Sequence, residues 1–307
     1  MIEAAPLPAI RRRRWELTRL LSMGFASLAA LAFLGMLALF AVQSLPIWRH
    51  AGMDFLLGES WFFRAQRFGV LPMVYGTLAV SAVALLTAAP LGIGAALLTA
   101  EVLPRRGRLA IKTAIELLAG IPSVVYGLLG VLLLRNWMHR LLSPWEPLSG
   151  DTLLTGGVLL GVMVLPTIMT LADDALSGIP AAQRLAARAL GLNRAETAFR
   201  ISLRQALPGL ASAVLLGLGR ALGETIAVFL VIGRQDNQWP QRLLSLQPLT
   251  GAGQTLTTKL GGSETFLAYG DLLHWGAMMG LSLVLFGVVA LVNLAGARLA
   301  MRRDGRA

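Results

Sequence analysis

From Leu20 to Trp48, and again from Phe68 to Ala100, the chain carries no charged side chain. Each run exceeds the roughly 20 residues that an α-helix needs to cross a bilayer. Lipid offers no hydrogen bonds, so a spanning segment must satisfy its backbone internally, as a helix does. Four further apolar runs follow: Leu117–Leu134, Thr152–Ala172, Gly209–Gly233 and Leu272–Ala297. The sequence therefore predicts an all-α, polytopic membrane protein with six transmembrane helices, at about 22–44, 70–101, 113–134, 152–173, 209–233 and 272–297. The first run is too long for a signal peptide and is followed by no A-x-A cleavage site, so it reads as an uncleaved span. The second reads as one long tilted helix behind an interfacial or re-entrant turn, with Pro72 and Pro90 bounding or kinking it.

Charge placement orients the spans. The net charge is +11, yet the basic residues lie between apolar runs and not on a nucleic-acid-binding motif. Residues 1–19 form a basic N-terminal segment, and residues 20–307 form the transmembrane domain. If the N-terminus faces the cytoplasm, the inner segments hold 18 of the 27 Lys and Arg, and the outer loops hold eight. Lys and Arg accumulate on the cytoplasmic side, so both termini are expected inside an inner membrane. No cysteine is present, which excludes disulfides and thiol chemistry. His50, His139 and His274 are too scattered to suggest a metal site and read as loop or interface residues.

Two charges interrupt the fifth run. Arg220 and Glu224 stand four residues apart, which on a continuous helix places both side chains on one face. Ionisable groups at membrane depth are costly unless paired or wetted. The pair either lines a path or locks helix packing. Gly217, Gly219 and Gly223 beside it would admit close approach by neighbouring helices.

The fifth run is preceded by a basic cytoplasmic loop, 174–208, whose later part reads as two short helices. Pro180 suits a first helical position, and Gly191 suits a left-handed C-terminal residue. Asn193 with Glu196 makes a capping box, and Pro208 marks the start of the fifth span. In the first helix Ala182, Leu185, Ala186 and Ala189 share a face, while Gln183, Arg184 and Arg188 fall on another. Such a helix can lie on anionic lipid or dock into a groove on a soluble partner. Asp173 and Asp174 end the fourth span and are expected to be solvated or to contact a partner. No G-x-x-x-x-G-K-[ST] run occurs; Gly251–Lys259 lacks its ending and falls in an outer loop.

The loop resembles the coupling loop of ABC-importer membrane subunits, in which Glu-Ala-Ala is followed after three residues by Gly and later by Leu-Pro. Here Leu185-Ala186-Ala187, Gly191 and Leu207-Pro208 occupy those places, and Leu185 replaces the Glu. Phe68–Leu78 and the stretch from Glu116 to Gly127, which includes Gly120, Pro122, Ser123 and Tyr126, look like the signatures of phosphate ABC importer permeases. Gly219–Val228, continuing to Gly233, is similar to the PstC-type subunit. The resemblance implies a type I ABC importer permease fold. It implies a second permease subunit, a cytoplasmic ATPase dimer that uses ATP and Mg, and an external phosphate-binding protein. No cofactor is implied for this chain. The family's intramembrane arginine and glutamate would correspond to Arg220 and Glu224, with Glu224 neutralising Arg220 at rest. Two alternatives stay open: carriage of another oxyanion such as sulfate, molybdate or phosphonate, and a phosphate-sensing scaffold with little flux. The outer loops 49–67 and 234–271 are equal candidates to meet the binding protein.

Overall fold

The computed structural model describes residues 9–145, 148–240 and 247–304. Within them the chain is almost wholly helical. Helix α1 (Ala9–Ala51) is followed by a short α2 (Asp54–Leu57) and a two-stranded antiparallel hairpin, β1 (Trp61–Phe62) with β2 (Arg67–Phe68). Helix α3 (Leu71–Leu97) ends in a π-turn, Leu98–Val102. Then come α4 (Arg105–Ala119), α5 (Ser123–Leu129), a second π-turn (Gly130–Leu134) and α6 (Arg135–Leu141). The long α7 (Leu153–Ser177) precedes α8 (Ala181–Ala189) and α9 (Arg194–Thr197). A third π-turn (Ala198–Ser202) leads into α10 (Leu203–Gly223), and α11 (Ile226–Val231) follows. Three short outer helices, α12 (Gln247–Thr250), α13 (Leu256–Leu260) and α14 (Glu264–Leu267), precede α15 (Leu272–Asp304).

Five helical segments are long and apolar enough to cross a membrane: Thr18–Ala51, Leu71–Val102, Leu153–Ser177, Arg194–Gly223 and Leu272–Gly296. A sixth is the pair Arg105–Ala119 and Ser123–Leu141, bent by 91°. The span expected at 113–134 falls in this bent pair. Pro122 has no N–H for the helical ladder and pushes Ile121 out of the helical region, so the chain turns sharply there. The region expected to span at 209–233 holds a helix break. Its helix begins at Leu203, stops at Glu224 (φ −72°, ψ 126°) and resumes at Ile226. Pro208 therefore lies inside α10 and not at its start, and the Ser212 hydroxyl donates to its carbonyl at 3.0 Å. At the N-terminus α1 is already helical from Ala9, within the basic segment 1–19; residues 1–8 lie outside the described residues.

Small residues set the helix packing. Gly157 and Gly161, one turn apart on α7, lie against Val83, Ala84 and Thr87 of α3, where a Cβ at either position would collide. Gly217 of α10 meets Ile168 of α7 in the same way, whereas a Cβ at Gly223 would meet open space. The central core joins Val80, Ala84, Leu160, Val164, Ala227 and Val231. Helix α1 stands apart, exposed along most of its length, and leans on α15 through Trp275 Nε1, which donates to Gln43 Oε1 at 2.8 Å.

Candidate functional site

The break between α10 and α11 holds both charges of the fifth run. Arg220 lies in the last turn of α10 and is exposed, and its guanidinium donates to Thr167 Oγ1 on α7 at 3.0 Å. Glu224 has left the helix, so the expected shared face does not exist, and the two charges form no ion pair. The i,i+4 relation holds only on a continuous helix, and the extended backbone at Glu224 redirects its side chain. Glu224 Oε1 instead faces the Ala227 N–H at 3.4 Å, in the first turn of α11, and its carbonyl accepts from Thr257 Oγ1 at 3.1 Å. A cavity of about 10 Å³ beside it is lined by Thr77, Ser81, Thr255 and Thr257. That is room for one water at most.

The signature stretch forms the 91° bend and is joined to this break. Glu116 and Gly120 end α4, with the Gly120 N–H donating to the Glu116 carbonyl at 3.1 Å. Pro122 and Ser123 start α5. The Tyr126 hydroxyl reaches back across the bend to the Leu118 carbonyl at 2.8 Å. Gly127 lets α11 approach: a Cβ there would sit 2.6 Å from Leu230 and 3.1 Å from the Ala227 backbone. The two sites predicted separately from sequence thus meet through α11.

The coupling-loop residues lie on other elements. Helix α8 presents Leu185, 63% exposed, and Ala186 outward, and turns Ala187 into the body. Gly191 has φ +88°, the left-handed conformation expected of it, and the Asn193–Glu196 capping box is formed. Leu207 is exposed, while Pro208 is part of α10. Sequence reasoning missed what holds α8. Arg184 faces inward and pairs with Glu101 at 2.9 Å. Asp173 is not solvated as expected; at 1% exposure it accepts from Thr99 at 2.8 Å and pairs with Arg108 at 3.2 Å and Lys112 at 2.5 Å. An Arg or Glu near the end of an apolar run gives no sign of a partner 65 to 83 residues away.

A second unforeseen cluster joins the segments 49–67 and 234–271. Lys259, 2% exposed, pairs with Asp236 at 2.7 Å and with Glu264, and its ammonium lies 5.0 Å from the Trp61 ring centre. Trp61 Nε1 donates to Glu264, and His274 Nε2 lies 2.9 Å from it. His274 is therefore a buried residue and not the loop histidine expected. Burial raises the Glu264 carboxyl, but the Lys259 ammonium and the hydrogen bonds from Lys259, Trp61 and His274 outweigh it and hold Glu264 below the usual carboxylate range. Trp61 also exchanges hydrogen bonds with Asn237, so the described parts of the segments 49–67 and 234–271 are joined here. Among the described residues no group of acids and histidines could hold a metal.

Residues 88–303 match the family described as binding-protein-dependent transport system inner membrane component. A probable ABC transporter permease of Bacillus subtilis, YqgH, is 34% identical over 95% of this chain and 92% of its own length. The phosphate transport system permease protein PstC of Mesorhizobium japonicum is 32% identical over 98% and 97%, and its namesake in Xylella fastidiosa is 33% identical over 91% and 89%. Among solved structures, a bacterial alginate ABC transporter chain superposes with a TM-score of 0.63 at 17% identity, over 95% of this chain and 96% of that one. A chain of the MetNI methionine transporter gives 0.58 at 20% identity, over 76% and 95%. The fold is that of type I ABC importer permeases. With its apolar spans and a match over most of its length, this chain belongs to the inner membrane components of binding-protein-dependent transport systems.

Proposed function

We propose that this chain is a permease subunit of an ATP-driven importer whose cargo is inorganic phosphate. Phosphate is supported by relatives named for phosphate transport that match over nine-tenths of the chain or more. The observation that carries the mechanism is the α10–α11 break, with a permanent cation at its edge and hydroxyls behind it. An arginine cannot be deprotonated, so Arg220 lowers the barrier for a dianion at every pH. Glu224 and the hydroxyls of Thr255 and Thr257, which line one small cavity beside that point, would form the closure on its outer side. The path would form between this chain and a second permease subunit.

Helix α8 is the element we assign to the cytoplasmic ATPase dimer. Leu185 and Leu190 (83% exposed) offer it an apolar face. ATP and Mg would be used by those partners, and this chain would bind no cofactor. An external phosphate-binding protein would deliver the anion to the joined outer loops. The bias of Lys and Arg supports both termini in the cytoplasm. Transport then follows alternating access: nucleotide binding closes the ATPase pair, α8 moves, and the helices around Arg220 respond.

The test is labelled phosphate uptake by cells lacking their own high-affinity system, expressing this chain with its partners as wild type and as Arg220→Gln. Uptake lost in the variant at matched membrane levels supports Arg220 on a phosphate path. Equal uptake in both makes Arg220 a packing residue. Uptake in neither, with sulfate or molybdate carried instead, refutes phosphate as cargo.

A further inference from the structure

We infer that Glu101 and Arg184 form the strut through which movement of α8 is carried into α3, and that they are positioning residues for transport. The inference rests on the reading of α8 as the surface moved by the ATPases. Helix α8 touches the body with few side chains, because Leu185 and Leu190 face outward. Ala187 packs inward without polar contacts, and Arg184 makes the polar ones. Its Nε donates to Glu101 at 2.9 Å, and its two terminal nitrogens donate to the carbonyls of Ile179 at 2.9 Å and Leu176 at 2.7 Å. One planar fork therefore ties α8 to two other places: the inner end of α3 and the end of α7. The Leu176 carbonyl belongs to the last turn of α7 and accepts from Arg184 in addition to the Ile179 N–H at 3.3 Å.

Glu101 is 4% exposed as a side chain and lies in the π-turn that closes α3. Such turns recur at functional sites in helices. Two residues earlier in the same turn, Thr99 donates to Asp173, which Arg108 and Lys112 of α4 hold in place. The π-turn is thus fixed to α7 and α8 by charge-assisted bonds, and to α4 through Asp173. At its other end α3 carries Thr77 and Ser81, which line the cavity beside Glu224, and Thr77 Oγ1 accepts from the Leu256 N–H at 2.9 Å. Helix α3 therefore runs from the strut to the closure beside Glu224. Separating a desolvated ion pair is costly, so a displaced α8 moves α3 more readily than it leaves it.

The experiment uses the complete complex, with its second permease, ATPases and binding protein, in proteoliposomes. It reads labelled inorganic phosphate moved per ATP hydrolysed. Glu101→Gln should assemble and hydrolyse ATP, yet the ratio should fall at least about fivefold, the low end of coupling between sites. Glu101→Asp, which keeps the charge, should recover most of it. If Glu101→Gln does not assemble, Arg184→Lys decides the matter, because it keeps the charge and loses the fork, and it should lower the same ratio. An unchanged ratio in the variant that assembles overturns the strut, as does an equal loss in Glu101→Gln and Glu101→Asp. Leu185→Asp separates the strut from the reading beneath it. If that variant keeps its ATPases bound, α8 is not their surface. If it sheds them while Glu101→Gln transports normally, only the strut is wrong.

Discussion

Lys259→Met tests whether the buried charges of the outer loops hold them together. The substitution keeps the length of the side chain and removes its charge. Glu264 then remains in a largely buried setting with hydrogen bonds from Trp61 and His274 but no cation of fixed charge. It either stays ionised, unpaired, or takes up a proton. Protonation caps the cost of that one group. With an ordinary glutamate value near 4.3 in the unfolded chain, it costs about 4 kcal/mol at pH 7 and about 1 kcal/mol at pH 5. In the wild type the Glu264 carboxyl is held low, so its contribution is complete above the unfolded value and is lost only as pH falls through the folded one. The wild type is therefore little changed between pH 7 and pH 5 on this account, and the variant gains on it as pH falls. Thermal unfolding in one detergent, followed by tryptophan fluorescence at both pH values, measures the gap. Lys259→Met with Glu264→Gln should recover part of the loss at pH 7, because no carboxylate is then stranded. A gap of the same size at pH 5 and pH 7, or one within about 0.5 kcal/mol of zero at pH 7, would refute the reasoning.

Two further substitutions address the helix framework. Gly161→Val places a side chain against Thr87 and the Ala84 carbonyl, and overpacking of this kind should cost about 1–3 kcal/mol; an unchanged unfolding temperature in detergent would contradict the close α3–α7 approach. Tyr126→Phe strips the Leu118 carbonyl of its donor across the bend and should cost about 1–2 kcal/mol. It should also lower phosphate uptake at matched protein levels, and full uptake would show that the bend does not depend on this bond.

What could be read in the sequence follows the range of the interactions involved. The spans were legible because lipid exclusion acts on every residue of a run, and Leu20–Trp48 states it without exception. Gly191 and the Asn193–Glu196 box were legible because their partners lie within one turn. The two breaks were not. Pro122 marks where the first break falls, but Pro90 and Pro166 lie inside helices that continue, so a proline alone does not announce one. Gly223 to Thr225 has a composition that unbroken membrane helices also tolerate, and the Thr257 hydroxyl that meets the Glu224 carbonyl is 33 residues distant. The buried ions were hidden for the same reason. Lys259 reads as a loop lysine until Trp61 and Asp236 are brought beside it.

The broken span also alters the electrostatic problem at Arg220. On an unbroken helix Glu224 would sit one turn away and share its field, and an entering anion would have to displace a carboxylate to reach the guanidinium. In the structure the nearest partner is the neutral hydroxyl of Thr167, which occupies one of the five N–H groups. The remaining donors lie on an exposed flank of α10, where a second subunit, water or cargo would meet them. Under the proposed function this favours passage. A lone monovalent cation attracts a dianion without neutralising it, so the site lowers the barrier while leaving the anion partly hydrated. Release then requires breaking contacts to one side chain and not to a closed cage, which is the condition for conduction through any selective path.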